Sequence, residues 1–434
     1  MRTLLLRFIS KIAPCKKWRH KLRNYLKIQR DVEQYKDNLK SQCKVLTRVQ
    51  ALQRPVKVCF MVVFDSVFQG APLYEKMLKD KRYEPYILVV PDVSRGIQHE
   101  REQREKTYST LSGRYPGKVF KSWDEITNEY KDFSAEMDIV CSANPYDGMT
   151  HEFYRISYLF RYALPIFFNY GYPSSCVSLY NAKSLFYSLN WLVFCESPYL
   201  LKELSAHMIN GGSNLKLTGY IKMDDFAFVK QYPRERKKII IAPHHTILPQ
   251  DKEYFGISAF MEFADCLVSL PVRYPQIDFV FRPHPLLKGK LSEVWGESRA
   301  LQYFRTWEEY PNAIFQNGGS YFETFANSDG MIHDCSSFMA EYLYTEKPVC
   351  FMLKDEEIVD KFFIGNAKDM LKRSYLARCA QDIDDFIRQV ILAEDDVMQK
   401  DRVDYTRKEV AYNYPHATES ALNYISEALF LNRK

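Results

Sequence analysis

Two short stretches of the chain concentrate side chains suited to handling an anion. Phe279-Val280-Phe281-Arg282-Pro283-His284-Pro285 reads as an apolar strand that ends in an Arg-Pro-His-Pro corner. The two prolines stiffen the turn that presents Arg282 and His284. Arg offers a bidentate fork to phosphate oxygens, and His can donate a proton to a departing phosphate. Residues 329–352, DGMIHDCSSFMAEYLYTEKPVCFM, read as a strand, a turn and a helix that starts at once. Ser336 or Ser337 is a good N-cap there, and free backbone N–H groups at that point make an anion site. Two hydroxyls and the helix dipole suit a diphosphate, and Glu341, one turn on, can accept from a ribose hydroxyl. An ordinary capped helix with a surface Glu accounts for the same letters.

A third stretch, Ile239–Ile247 (IIIAPHHTI), places His244 and His245 directly after an apolar strand, where they can bind phosphate or act as acid or base. A zinc centre needs further ligands at suitable spacing, and neither HExxH nor HxxEH occurs, so no metal and no cofactor is expected. In the first half, three turns follow apolar strands: Asp65-Ser66, Asn144-Pro145-Tyr146-Asp147 with His151 four residues on, and Asn169-Tyr170-Gly171-Tyr172. Asp65, His151 and Tyr170 are the candidates there for a base toward an acceptor hydroxyl; a structural role is an equal reading for each. The absence of GxGxxG, GxxxxGK[ST], GxSxG and the kinase motif set argues against dehydrogenase, P-loop and α/β-hydrolase chemistry. No DxD stands at a strand end to hold a metal-bound nucleotide sugar.

The elements that must position these residues follow a simple rhythm. From residue 55 short apolar strands alternate with longer amphipathic segments, the pattern of βαβ units and a parallel sheet. Val56–Phe64 (VKVCFMVVF) is a near-continuous apolar run, as in a strand covered on both faces. The pattern predicts a first α/β half over 51–223, a polar linker at 224–237, a second α/β half over 238–381 and a helical tail over 382–434. In open α/β sheets ligands sit beyond the carboxyl ends of the strands. The fold class is therefore α/β, with two Rossmann-like lobes, a cleft between them and helical ends.

Length and composition agree. The 434 residues suggest two or three domains, each long enough for a full core. Sixty Lys and Arg against 54 Asp and Glu leave a net charge of only +6, which with 46% hydrophobic residues excludes wholesale disorder. The ten cysteines show no CxxC spacing, and several lie inside apolar strands, as reduced buried thiols do. No run of 18 apolar residues spans a membrane, and the MRTLLLRFISKIAPCKKW start, broken by Arg7 and Lys11, does not read as a signal peptide. The expected location is the cytoplasm. Residues 1–50 read as helical and basic, with Lys16, Lys17, Arg19, Lys21, Arg23, Lys27 and Arg30 around Trp18, Leu22, Tyr25, Leu26 and Ile28. Such a helix suits the anionic inner face of the cell membrane, or docks its apolar side on the main body. Nucleic acid is not an expected partner, because the basic cluster is not repeated.

Taken together, RPHP at 282–285 and HDCSSFMAEYLYTEKPVCFM at 333–352 resemble the CDP-glycerol glycerophosphotransferase family of teichoic-acid and capsule polymer enzymes. IAPHHT at 241–246 and TGYIKMDDF at 218–226 fall where that family carries its motifs between the lobes, and the likeness covers roughly residues 135–355. The resemblance implies a GT-B architecture whose C-terminal lobe holds the donor nucleotide. It implies that Arg282, His284, His244 and His245 meet the donor phosphates, that the Asp334-x-Ser336-Ser337 turn holds the diphosphate, and that Glu341 meets the ribose. It further implies a CDP-activated polyol or related nucleotide-sugar donor and a glycan or lipid-linked acceptor. The family often carries a His-Gly pair in its N-terminal lobe as a base; the corresponding stretch here is Asn169-Tyr170-Gly171. A tyrosine with a pKa near 10 is a poor base at neutral pH, so His151 or Asp65 takes that role or the substrates differ. A nucleotide-sugar glycosyltransferase and a catalytically silent scaffold for polymer assembly are the alternative readings.

Overall fold

The structure, a computed structural model, describes residues 16–248 and 256–431. Two parallel sheets dominate it. The first contains β1 (Val56–Val62), β2 (Tyr83–Val89), β3 (Val119–Lys121), β4 (Ile139–Ser142), β5 (Leu164–Phe167), β6 (Leu192–Cys195) and β7 (Leu215–Leu217), in the order 3-2-1-4-5-6-7. The second contains β8 (Lys238–Ala242), β9 (Asp278–Phe281), β10 (Ala313–Phe315), β11 (Gly330–His333), β12 (Val349–Met352) and β13 (Tyr375–Ala377). Its order, 10-9-8-11-12-13, repeats the winding of the first. Each sheet therefore reverses direction once, between β1 and β4 and between β8 and β11. A crevice opens beyond the carboxyl ends at such a point.

The apolar runs explain the winding. β4, β5, β6, β11 and β12 are buried at every position, as strands covered by helices on both faces must be. One apolar cluster extends across both lobes, from Phe167, Tyr172 and Val193 to Met331, Tyr342 and Phe351. Contacts of a polar kind reinforce it: Ser174 Oγ donates to Ser336 O at 3.1 Å, and Asn366 Nδ2 donates to Pro173 O at 2.9 Å. Ser175 also bridges Phe363 across the lobes.

The basic N-terminal segment forms one helix, Lys16–Gln50. Its second half packs on the first lobe, with Val45 and Val49 buried and with Asn38 and Gln42 donating to Leu189 O at 2.9 and 2.7 Å. Tyr25 and Ile28, near its start, are exposed. The apolar positions Leu4, Leu5, Phe8, Ile9 and Ile12 lie outside the described residues. Among the described residues no helix is long and apolar enough to cross a membrane.

The stretch read as a polar linker, 224–237, is more than that at its start. Ile221–Phe228 forms a 3-10 helix in which Met223, Asp224 and Phe226 are buried. The reason lies 190 residues downstream: Asp224 accepts from Ala417 N at 3.3 Å, Thr418 N at 2.6 Å and Thr418 Oγ1 at 2.6 Å. It thus satisfies the free N–H groups at the start of the last helix, Ala417–Phe430, and brings that helix back onto the first lobe. The carboxylate complements the helix dipole in a site where water cannot replace it. Replacing Asp224 by Ala leaves those buried donors unpaired, so D224A should lose about 2–3 kcal/mol of stability. Chemical or thermal unfolding of the full chain checks this, and a change below ~0.5 kcal/mol would show the cap to be dispensable.

Candidate functional site

The carboxyl edges of the two sheets face each other across a cavity of about 610 Å³. On the second lobe, the turns after β8, β9 and β11 supply His245, Arg282, His284, Ser337 and Glu341 to its wall. The turns after β8 and β9 are tied together by continued strand-like pairing: Arg282 N donates to Ile241 O at 2.8 Å and His284 N to Pro243 O at 2.9 Å. This brings three imidazoles into one group, with ring centroids 4.1 Å apart for His245 and His284, 4.4 Å for His244 and His245, and 5.2 Å for His244 and His284.

Asp334 shows why the His244 turn sits where it does. Its buried carboxylate accepts from His244 N at 2.5 Å, Ser258 Oγ at 2.7 Å and Ala259 N at 2.9 Å. Burial pushes this carboxyl up to about 7, while the three donors pull the other way. Asp334 is therefore a positioning group behind the cavity, and His244, whose Nδ1 lies 3.0 Å from Thr246 Oγ1, is likewise buried outside the lining.

The protonation of His284 is set by its surroundings. Burial, reinforced by His245, Lys290 and Arg95, lowers its pKa to about 3, so the ring is neutral at pH 7. Leu286 N donates to its Nδ1 at 3.2 Å, which leaves the ring proton on Nε2. His284 thus offers a neutral N–H donor. The nitrogens of the three imidazoles lie within 4.8 Å of one another, a spacing compatible with a metal. The His284 tautomer, with no lone pair at Nε2, and the neighbouring cations suit an anion better. Arg282 is lowered by burial to about 10 and stays charged at neutral pH; its guanidinium donates to Gly318 O at 2.9 Å and to Gly319 O, and lies over the Tyr321 ring.

The serine turn differs from expectation in its cap. Cys335, with extended backbone, takes the N-cap position of the helix Ser336–Glu341, and no side chain caps it. Ser336 and Ser337 are the first two helical residues, one step too late to cap. Ser337 lines the cavity, with its hydroxyl 3.4 Å from Cys335 Sγ, whereas Ser336 faces the lobe contact through its carbonyl. Glu341 is not a surface residue. It is fully buried, and Tyr220 and Lys222 reach its Oε1 at 2.8 Å each while Tyr321 donates to Oε2. A carboxylate has about four lone-pair sites, and protein donors take three of them, so Glu341 lines the cavity as a paired group.

On the first lobe Tyr170 and Gly171 line the cavity. Gly171 approaches Ser337 so closely that a Cβ there would stand 3.4 Å from the serine Cβ. Burial, and then the neighbouring Tyr146, raise the Tyr170 phenol further above 10. Asp65 and His151 do not line the cavity. The His151 ring stacks on Tyr130 at 4.4 Å, and its Nδ1 accepts from Phe153 N at 3.4 Å, a local turn contact. Lining residues that the sequence reading passed over are Arg95, Tyr146, Lys222 and Tyr321. Lys222 stands inside the quoted TGYIKMDDF motif; Arg95 and Tyr146 follow the strands β2 and β4, and that strand-end position was the available signal.

Residues 265–427 match the family described as CDP-Glycerol:Poly(glycerophosphate) glycerophosphotransferase. The matched range holds the RPHP corner and the twin-serine turn; the first lobe and the His244-His245 turn lie outside it. No curated protein matches. Among solved structures, the wall teichoic acid polymerase TagF is similar at a TM-score of 0.60 and 14% identity, over 93% of this chain and 98% of that one. S. aureus MnaA in its UDP co-structure is similar at 0.54 and 16%, over 88% and 98%. The UDP-GlcNAc 2-epimerase from Neisseria meningitidis is similar at 0.54 and 13%, over 86% and 100%. At these identities the likeness is one of fold, and it establishes the two-lobed α/β architecture.

Behind Tyr170 lies a further buried carboxyl. Asn169 Nδ2 donates to Glu196 Oε1 at 2.8 Å and Tyr187 OH donates to Asn169 Oδ1 at 2.8 Å, which fixes the turn that carries Tyr170. Burial raises Glu196 from 4.5 to about 7. Between those values the folded state holds a proton that the unfolded state has released, so this group costs stability as pH rises from 4.5 to 7 and by a constant amount above. E196Q should therefore match the parent at pH 4 and exceed it at pH 8 by on the order of 3 kcal/mol. Denaturant unfolding at the two pH values is the check; equal stability at both would show Glu196 to be ionised without cost.

Proposed function

We propose that this protein transfers a glycerol-phosphate or related polyol-phosphate unit from a CDP-activated donor to a hydroxyl of a cell-surface glycan or lipid-linked acceptor, on the cytoplasmic side of the membrane. The observation that carries the reading is the convergence of the Arg282/His284 corner and Ser337 on one cavity, inside the range matched by the glycerophosphotransferase family. TagF, similar in fold, has been soaked with CDPG, and MnaA binds UDP, so relatives of this architecture hold pyrimidine nucleotides.

In this reading the donor diphosphate lies against His284 Nε2–H, the Arg282 guanidinium and Ser337, and the ribose lies toward Glu341. The acceptor hydroxyl oxygen attacks the outer phosphorus. A new P–O bond forms, the bond to the bridging oxygen breaks, CMP leaves with that electron pair, and the hydroxyl proton is released. Fixed donors aimed at the leaving phosphate stabilise its charge without reorganisation. The lobes exclude water and hold the reactants in line. The basic first half of the Lys16–Gln50 helix suits contact with an anionic membrane surface beside a lipid-linked acceptor.

A thermal-shift panel of CDP-glycerol, CDP-ribitol, CMP, UDP-GlcNAc and CMP-sugars tests the donor. At a ligand concentration one hundred times Kd, binding adds about 2.7 kcal/mol of stability. Preference for CDP-polyols supports the proposal, preference for UDP-sugars replaces it with a glycosyltransferase, and no response to any nucleotide favours a scaffold. H284A should fold normally and lose at least a hundredfold in transfer, about 2.7 kcal/mol of transition-state stabilisation. Near-normal turnover in a product assay would remove His284 from the site.

A further inference from the structure

We propose that Arg95, on the first lobe, is a phosphate-binding residue that reaches across the cavity to the outer phosphate of the donor, the one that is transferred. The proposal rests on the glycerophosphotransferase reading above and adds a contact from the lobe opposite the nucleotide.

Among the described residues three cationic side chains line the cavity: Arg95, Lys222 and Arg282. Two are also engaged by protein groups. Lys222 is paired with Glu341 at 2.8 Å, and the two Nη groups of Arg282 donate to the carbonyls of Gly318 and Gly319. Arg95 differs. It is held only at Nε, 3.1 Å from Asp92 Oδ2, with its guanidinium carbon 5.8 Å from the centroid of the Phe64 ring. Among the described residues no protein acceptor meets its Nη groups. The result is a half-exposed guanidinium at the cavity wall, ion-paired at Nε with Asp92 and with both Nη groups without protein acceptors, a fork able to bind a phosphate bidentately.

The anchor is itself rigid. Asp92 is fully buried, accepts from Ser94 N at 2.9 Å and Ser94 Oγ at 2.6 Å, and donates through its own N to Gln103 Oε1 at 3.3 Å. Gly96, at φ +89°, then turns the chain into the helix Ile97–Arg114, so that Arg95 stays at the carboxyl edge of β2. That edge faces the second lobe. Arg95 stands near enough to His284 to lower the proton affinity of its ring. A cation opposite the neutral N–H donor of His284 defines a place for a doubly contacted anion. The nucleoside-side phosphate is met by the second lobe, so the group within reach of Arg95 is the outer one.

The test compares ligands with and without that phosphate on the full-length protein. By calorimetry, R95Q should bind CDP-glycerol at least tenfold more weakly than the parent and bind CMP within twofold. R95K, which keeps the charge but not the fork, should fall between them on CDP-glycerol. Equal losses on both ligands, or no loss on either, overturn the proposal. Unliganded melting temperatures of the variants within about 2 °C of the parent's show that folding is not the cause. Should the parent bind neither cytidine ligand but bind UDP-GlcNAc, the glycerophosphotransferase reading fails. The same comparison between UDP-GlcNAc and UMP then decides Arg95: a loss confined to the diphosphate supports it, and equal affinities overturn it. A parent that binds no nucleotide overturns both.

Discussion

The arrangement of this protein turns on one buried carboxylate. Glu341, on the second lobe, has no access to water, and an isolated charge in that position costs several kcal/mol. Its partners offset that cost and come from both sides of the cleft: Tyr220 and Lys222 from the connector that leaves the first sheet, Tyr321 from the loop after β10. The connector is in turn fixed to the first lobe, because Asp224 holds the start of the last helix there. The lobes therefore cannot separate without stripping a buried anion of two of its three donors. The close approach of Gly171 to Ser337 and the apolar cluster that crosses the interface follow from the same closure. The cavity keeps its dimensions because the charge at its base has to stay paired.

Around that base the protonation states divide the labour. The imidazoles of His244 and His284 are held neutral, mainly by burial and further by His245 and the cations nearby. The arginines cannot be neutralised in this way at physiological pH. The cavity wall thus mixes fixed positive charge with the neutral N–H donor of His284, whose tautomer is set. Such donors strengthen as negative charge develops on an oxygen, and they need no proton to arrive beforehand. Asp334 contributes by holding the main chain of the His244 turn from behind the cavity, which it does not line.

How much of this was legible in the sequence differs by level. The strands were readable because parallel strands buried on both faces leave apolar runs: Lys238–Ala242 and Gly330–His333 have the boundaries expected from their letters. The short strand Tyr375–Ala377 escaped because it is three residues long and only partly buried. Arg282, His284, His245 and Ser337 were legible as candidates since each follows such a run, and a doubly wound sheet presents its ligand there. The roles of Asp334 and Glu341 were not. Both depend on partners far away in the chain, Ser258 for one and Tyr220 and Lys222 for the other, and no local pattern announces a contact over 76 or 121 residues. Asp224 is the same case, a charged residue in a polar stretch whose partner is a helix start 194 positions on. Arg95 carried the same strand-end signal as Arg282 but lacked the flanking prolines that made the latter stand out.

The position of Tyr170 bears on what kind of chemistry such a cavity can support. The resemblance to glycerophosphotransferases directs attention to a base on this turn, yet its phenol is held above its ordinary pKa and stays protonated. His151, the other imidazole of the first lobe considered for the role, is stacked on Tyr130 outside the lining. Phosphoryl transfer tolerates this better than acyl transfer would. Its transition state is loose, with little bond formation to the incoming oxygen, so the hydroxyl proton is lost late and a strong base gains little. The demand falls on alignment and on charge around the transferred phosphorus. Those are what the structure concentrates: a cavity closed by a paired anion, fixed cations on both lobes, and the neutral imidazole donor of His284 between them.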